Sequence, residues 1–403
     1  MLNHRTRAKA LETGLEKVAT AYPEDSEATI LYALVLSANF DPADKQYGNQ
    51  LRAAKLLEPI FARQPEHPGA AHYLIHSYDY PPLATQGLPA AQRYSKIAPA
   101  ASHAQHMPSH IFTRVGDWQA SVEANRRSAE SAKGSIPNRV HAYDYLVYAH
   151  LQLAQDEAAR KAMQQSFAMK PVDNFAAAFA YAAMPARRAL ERGDWATAAV
   201  LPMSPAADAY PWKKYPQAEA VNAYARGIGA ARAGNAMLAR EQQGRLIALR
   251  DAATELKLAY WVGQIDIQAA VVGALALCAE GKSVECIEGL RAASLREDAT
   301  EKHVVVPGPL VPARELLADM LVDQKRFAEA LREYEAVMTK EPNRYRTLAG
   351  AMAAAQGAGE PSKALSAANA LLKLGNEADS QRATLEQARQ IAGAVKTSGW
   401  VPR

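Results

Sequence analysis

The feature that most constrains this chain is a recurrence. Pro65, Pro99, Pro137 and Pro171 follow one another at a nearly constant interval. A second marker runs in step with them. Gly116-Asp117-Trp118, Gly193-Asp194-Trp195 and Lys325-Arg326-Phe327 each set a turn residue ahead of an aromatic. That is the pattern of a helix end whose backbone turns left-handed and whose aromatic packs back on the hairpin. Between the markers the apolar positions keep helical spacing. Phe327, Ala330, Leu331, Tyr334 and Met338 fall at i, i+3, i+4, i+7 and i+11, one stripe of a helix within residues 326–342. First helices of successive pairs are predicted to begin near Asp25, Pro68, Ser102, Arg139, Asn174, Tyr215, Leu258, Val311, Arg344 and Ser380. The intervals are unequal, roughly 33 to 52 residues, which implies insertions in several units.

A helical pair of about 34 residues closed by a proline is the period of the tetratricopeptide (TPR) unit, and the proline recurrence keeps close to it. The expected fold is therefore all-α: one TPR-like α-solenoid over residues 1–403, with about ten helical hairpins wound as a right-handed superhelix. Residues 311–403 read as its regular C-terminal units, and 65–150 as a histidine-rich stretch. A chain of 403 residues would otherwise suggest two or three compact domains. A repeat array escapes that rule because each unit contacts only its neighbours. Alanine-rich stretches at 175–183 and 349–355 suit close helix approach. The β-branched run 304–306 is bounded by Pro307 and Pro309 and reads as a loop.

Composition excludes more than it selects. With 49% hydrophobic and 22% charged residues the chain is globular in character. The net charge of +4 is dispersed, with no basic block suited to nucleic acid or anionic lipid. Cys278 and Cys286 are too few for a disulfide framework or a cysteine-rich zinc module, and with a turn at Gly281-Lys282 between them they read as unlinked thiols. No apolar stretch is expected to span a bilayer, since 269–279 falls short of the roughly 18 residues required. Met1-Leu2-Asn3-His4-Arg5 leads straight into amphipathic sequence with no signal peptide, as if a longer protein had been cut; Val401-Pro402-Arg403 closes the chain. The location expected is cytoplasmic as the chain stands, and periplasmic if a leader has been removed. Phosphate-binding glycine loops, a nucleophile elbow and an H-E-x-x-H zinc motif are all missing from the sequence.

The functional signal lies in the histidines. Six of the ten, His67, His72, His76, His103, His106 and His110, fall in one short part of the chain. Neutral imidazole is the commonest side-chain ligand of transition metals. His72 and His76 are i, i+4 on one helical face; His103, His106 and His110 are i, i+3, i+7 on another. Pro108 either kinks that second helix or stands in the first turn of a new one. Successive first helices would bring the two groups together and add His141 from a third, with Asp144 one turn beyond it. The expected ligand set is thus His72, His76, His103, His106, His110, His141 and Asp144, holding copper, iron or zinc. Asp79 is a further candidate, as a carboxylate ligand or an acceptor behind a histidine. His150 faces away, and His4 and His303 read as isolated surface residues. The plain alternative is that the imidazoles hydrogen-bond, stack on Tyr73 or Tyr78, or bind a peptide. Ser109 is a weak candidate hydroxyl beside imidazole. Asn125 reads as a solvated helix residue before a groove-lining one. Tyr210 and Trp212 read as caps on the next helix pair before a lid.

The residues P-E-H-P-G-A-A-H-Y-L-I-H-S-Y-D at 65–79, followed by H-A-Q-H-M-P-S-H-I-F-T-R-V-G-D-W at 103–118, resemble a bacterial group of TPR-repeat proteins. That group carries an H-Y-x-I-H helix, then an H-x-x-H-M-P-x-H-I helix ending in R-x-G, then a further histidine matching His141. The resemblance runs from Pro65 to His141 and implies that the histidine set belongs to the group. It also implies that members are similar to exported proteins, and it supplies no reaction. Two functions are expected on these grounds. One is metal binding on the face of the repeats, with water or O₂ activation at a small-molecule substrate (a hydrolase or oxidoreductase) or metal storage. The other is a non-catalytic scaffold holding a partner peptide or protein in its concave groove.

Overall fold

The computed structural model describes residues 4–42 and 44–398, with side chains described up to residue 394. The expectations for residues 1–3 and 401–403 lie outside the described residues. Among the described residues all regular structure is helical, about 75% of the chain. The chain divides into two compact units, Met1–Ala132 and Lys133–Arg403, a boundary that falls inside the histidine-rich stretch.

The first unit holds α1 (His4–Ala21), α2 (Ser26–Ala38), α3 (Gly48–Arg63), α4 (Pro68–Tyr78), α5 (Leu88–Ile97), α6 (Ser102–His106), α7 (Pro108–Val115) and α8 (Trp118–Ser131). The second holds α9 (Ile136–Gln152), α10 (Asp156–Phe167), α11 (Phe175–Glu191), α12 (Trp195–Ala199), α13 (Pro216–Arg232), α14 (Ala236–Glu255), α15 (Ala259–Ala279), α16 (Ser283–Asp298), α17 (Ala313–Asp323), α18 (Phe327–Lys340), α19 (Tyr345–Gly357), α20 (Pro361–Leu374) and α21 (Ala383–Ser398). The ten expected first helices are α2, α4, α6, α9, α11, α13, α15, α17, α19 and α21, each beginning within three residues of its expected position.

The packing is that of a helical-hairpin repeat. Within each unit a helix lies against its chain neighbour, and α2 on α4, α9 on α11, α11 on α13, α13 on α15 and α17 on α19 pack first helix on first helix. Gly116, Gly193 and Lys325 take the left-handed conformation, at φ 70°, 64° and 60°, where the turn markers expect it. Trp118 is buried behind the first of these turns. In the first unit Ile30, Leu36, Leu57, Leu74, Ile75, Met107 and Ile111 share one apolar core. Burying a side chain of this kind contributes about 1.5–3 kcal/mol, so α4 and α7 are held rigidly where their polar faces project.

The second unit departs from an open array, because its last repeats close on its first. α19 packs on α9, and Ala154 joins the core of Tyr345, Leu348, Met352 and Leu371. Asp379 caps α10 from far along the chain, accepting from the backbone N–H of Glu157 and Ala158 at 2.9 and 2.8 Å. Arg382 donates to the Leu151 carbonyl at 3.0 Å and pairs with Asp156. Between these elements runs a buried ionic network. Arg344 donates to Tyr148 Oη at 2.7 Å, Glu191 Oε1 at 2.8 Å and Glu315 Oε2 at 3.2 Å. Arg346 adds a bond to Glu315 Oε1 at 2.9 Å. Burial pushes the Glu315 carboxyl up, but the two guanidiniums outweigh it and hold it below the usual carboxylate range. The loop before α17 is tucked inside as well, with the Gly308 and Pro309 carbonyls accepting from Arg187 at 2.8 and 2.9 Å. Residues 304–306 are loop, as expected. Tyr210 and Trp212 are buried, with Tyr210 Oη donating to the Val172 carbonyl ahead of α11, so it ties back to the preceding helix pair and not the next.

Two expectations are corrected here. Cys278 and Cys286 are joined in a disulfide, with Cα atoms 5.2 Å apart. The turn at Gly281, φ 80°, folds α16 back along α15, so the two cysteines become neighbours across a hairpin. The second correction concerns α15. Its 21 residues, with a mean hydropathy of 1.6 over the best window, make it long and apolar enough to cross a membrane by length and composition. Reading 269–279 alone missed the first half of this helix, where Trp261, Val262, Ile265 and Ile267 supply the apolar residues. Half of the window is buried, and α13, α14 and α16 pack against it, the environment of a repeat core helix.

Candidate metal centre

α4 begins on His67, whose Nδ1 accepts from the Ala70 N–H at 3.2 Å with Pro68 at the first helical position. Its Nε2 meets Glu27 at 2.7 Å. His67 is therefore a helix cap, and the helix it starts carries His72 and His76 on one face. The second histidine helix is divided without being broken. Met107 has helical φ and ψ, −52° and −38°, between α6 and α7, and Pro108 occupies the first turn of α7. Of the two readings of Pro108, the structure shows the one in which a new helix starts there. His103, His106 and His110 stay on one side.

Five imidazoles of the first unit converge. His72 Nε2 lies 3.1 Å from His76 Nε2 and 3.2 Å from His103 Nε2. His106 Nε2 lies 3.1 Å from His110 Nε2. Two nitrogens that bind one ion at about 2.0–2.1 Å stand roughly 2.9–3.4 Å apart for right-angled to tetrahedral geometry, which all three spacings match. His72 is stacked between Tyr73 and Tyr94, at ring distances of 5.1 and 5.2 Å. Burial, then the neighbouring His76 and His103, push its pKa down to about 3, so the ring is neutral near pH 7. Tyr78, the other aromatic expected to stack here, instead donates its hydroxyl to Glu58 at 2.6 Å.

A shell of acceptors fixes the inner pair. His106 Nδ1 sits 2.7 Å from Asn125 Oδ1, and Asn125 in turn donates its amide to the Ser121 carbonyl at 2.8 Å. That second bond settles the amide orientation, so His106 must carry its proton on Nδ1. His110 Nδ1 sits 3.0 Å from Asp79 Oδ2, while Arg114 grips Asp79 through Oδ1 at 2.8 Å and through its carbonyl at 3.1 Å. Asp79, which accepts from the Arg114 guanidinium through Oδ1, accepts from His110 through Oδ2, which places the His110 proton on Nδ1 also. The two Nε2 atoms then face each other at 3.1 Å. This carboxylate–histidine arrangement is the usual support of a metal-binding imidazole. His106, His110, Asp79, Arg114 and Asn125 are all buried, whereas His103 is exposed.

Of the expected set, the structure thus brings His72, His76, His103, His106 and His110 together within one unit. His141 and Asp144 stand on α9 of the second unit. His141 packs edge-on to Tyr145 at 5.4 Å. Asp144 faces Arg187 at 3.4 Å, and burial raises its pKa to about 6 against the pull of that guanidinium. Asp79 serves as the acceptor behind His110. His150 is engaged with Gln155 at 2.7 Å. Ser109 is buried, and its hydroxyl has no hydrogen-bond partner among the described residues.

Two sequence readings are corrected. Asn125 is fully buried against His106 and is not a solvated helix residue; nothing in its local pattern separates it from an exposed asparagine. His303 is not isolated. Its ring lies 5.8, 5.5 and 5.1 Å from those of Phe175, Tyr260 and Trp261, a second-unit cluster assembled from three distant parts of the chain.

No family model and no curated protein match this chain. Solved structures do. The TPR domain of P58(IPK) aligns at 15% identity over 93% of this chain and 99% of its own, with a TM-score of 0.28. The APC/C hetero-tetramer Cut9-Hcn1 aligns at 11% identity over 98% and 82%, with a TM-score of 0.37. The Naa15/Naa10 structure bound to HypK-THB aligns at 12% identity over 96% and 64%, with a TM-score of 0.32.

Proposed function

We propose that the first unit is a transition-metal-binding module whose ligands are His72, His76, His103, His106 and His110. The observation that supports this most is the inner pair. Two buried imidazoles point Nε2 at Nε2 across 3.1 Å while their Nδ1 protons are given to Asn125 and Asp79. An all-nitrogen donor set suits copper, zinc or iron over calcium or magnesium. Such an ion supplies Lewis acidity toward water or another small oxygen donor. The protein's part is to keep His72 and His103 neutral through desolvation, orient His106 and His110 through Asn125 and Asp79, and hold the backbone rigid beneath them. Elemental analysis of the chain purified without a histidine tag is the test. Stoichiometric metal that a strong chelator removes, with a fall in thermal stability, is expected. A metal-free chain whose stability ignores both chelator and added metal would overturn the reading.

The helical-hairpin architecture favours a second reading, a scaffold for a partner protein. On that reading, replacing His72 and His76 changes partner affinity in the presence of chelator and leaves metal content untouched.

A further inference from the structure

The second unit carries a cleft of about 380 Å³ between α13 and α14, within the range of small-molecule sites. Helical spacing explains its lining. Glu219, Asn222 and Arg226 fall at i, i+3 and i+7, one polar stripe of α13, and Glu241 and Arg245 at i, i+4 face them from α14. Met203, from the loop after α12, adds an apolar wall. Beneath the stripe the helices are packed without slack. A Cβ on Gly227 would lie 2.6 Å from a Val272 methyl and 3.3 Å from Gln242 Cβ, so the α13 side chains are held at fixed positions. We propose that this cleft binds a free α-amino acid, with its carboxylate on Arg226 and its ammonium between Asn222 and Glu241. The site is separate from the histidines and independent of the metal-binding reading.

The charges of the cleft are unevenly matched. Arg245 is engaged with Glu219, its Nε donating to Oε1 at 3.1 Å. Arg226 is half-buried, its Nε is enclosed without a hydrogen bond, and among the described residues its side chain has no hydrogen bond or ion pair. The buried Arg187, Arg344 and Arg382 of the same unit each face a carboxylate, as buried guanidiniums generally do. An unmatched guanidinium at a cleft wall is a planar fork suited to a carboxylate. Asn222, one turn away, supplies the opposite polarity. Its amide donates to the Leu201 and Pro202 carbonyls, both at 3.2 Å, which fixes its orientation and leaves Oδ1 as the acceptor it brings to the cleft. Glu241 is exposed, and among the described residues its carboxylate accepts only a long bond from Gln242 at 3.4 Å. The cleft thus offers a donor fork for an anion and, one helical turn away, two acceptors for an ammonium. The carboxylates of Glu219 and Glu241 disfavour a multiply charged anion such as phosphate by repulsion.

The test is isothermal titration calorimetry on the untagged full-length chain in a chelator-containing buffer. Each proteinogenic amino acid is added singly, with acetate and inorganic phosphate as controls. At least one amino acid is expected to bind more tightly than either control. Its N-acetyl and carboxamide derivatives, each lacking one charge, should bind at least about tenfold more weakly, as should the amino acid itself to R226Q. E241Q should weaken binding about 2–5-fold, since Glu241 is exposed. The two derivatives decide the matter on the wild-type chain if circular dichroism shows R226Q unfolded. An absence of amino-acid binding overturns the proposal, as does binding that either derivative or a folded R226Q leaves intact. Acetate or phosphate bound as tightly as any amino acid overturns it too, by revealing a plain anion site. The cleft shares no residue with the histidine cluster, so none of these outcomes bears on the metal reading.

Discussion

Each unit buries a polar cluster where first helices meet, and the two clusters solve the same problem in opposite ways. In the second unit Arg344 lies among Glu191, Glu315 and Tyr148, so opposite charges face one another, with Glu191 Oε2 left without a hydrogen bond among the described residues. In the first unit the facing groups are alike, with Nε2 atoms directed at Nε2 atoms and the protons sent outward to Asp79 and Asn125. A matched set locks a fold; a set of facing imidazoles is the arrangement on which the metal-binding proposal rests. Buried polarity alone therefore does not identify a site, whereas the direction of its donors does.

The comparison can be broken first at Arg344. R344M takes the Arg344 cation from buried Glu191, while Glu315 keeps Arg346, and is expected to cost the second unit about 3–5 kcal/mol, read by denaturant unfolding; a loss within error would show that the network is not what holds the closure. The next effect is one of pH. Asp144 keeps its proton up to about pH 6 in the folded chain, against an ordinary value of 3.8. The folded state therefore binds more protons than the unfolded between those values, and stability falls as pH rises through the window, by at most about 3 kcal/mol at roughly 1.4 kcal/mol per pH unit. In D144N the unfolding free energy should lose that slope between about pH 4 and 6. Third, free Zn²⁺ at about 100 times its dissociation constant should add about 2.7 kcal/mol of stability. Hydrogen exchange should place the added protection on α4, α6 and α7, and equal protection on α17 and α19 would erase the distinction. The smallest effect is at the support. D79N should weaken metal affinity about 10–100-fold by removing the acceptor behind His110, measured by chelator competition.

Helical period and turn chemistry made the hairpins legible, down to starts within three residues, because proline, glycine and aromatic markers act locally. The five histidines were legible for the same reason, since i, i+4 spacing fixes a shared face. What stayed hidden depends on distance. Asn125 becomes part of the centre only when α8 folds onto α6, and the His303 aromatic cluster forms only when α11, α15 and the loop before α17 meet. The Cys278–Cys286 bond was missed because the turn at Gly281-Lys282 was taken to part the two cysteines, whereas it folds α16 back along α15 and brings them together. Arg114 had a sequence trace, the R-x-G that ends its helix, but its hold on Asp79 joins residues 35 positions apart.

The closure of the second unit changes how that unit comes apart. An open array stores its stability in nearest-neighbour interfaces, so it frays from its ends and tolerates gain or loss of a repeat. Here the ends are fastened to each other through Asp379, Arg382 and Arg344, by contacts between residues very distant in sequence. With its last repeats tied to its first, the unit should unfold as one cooperative event. Its late long-range contacts also predict slow folding relative to a linear array of equal length.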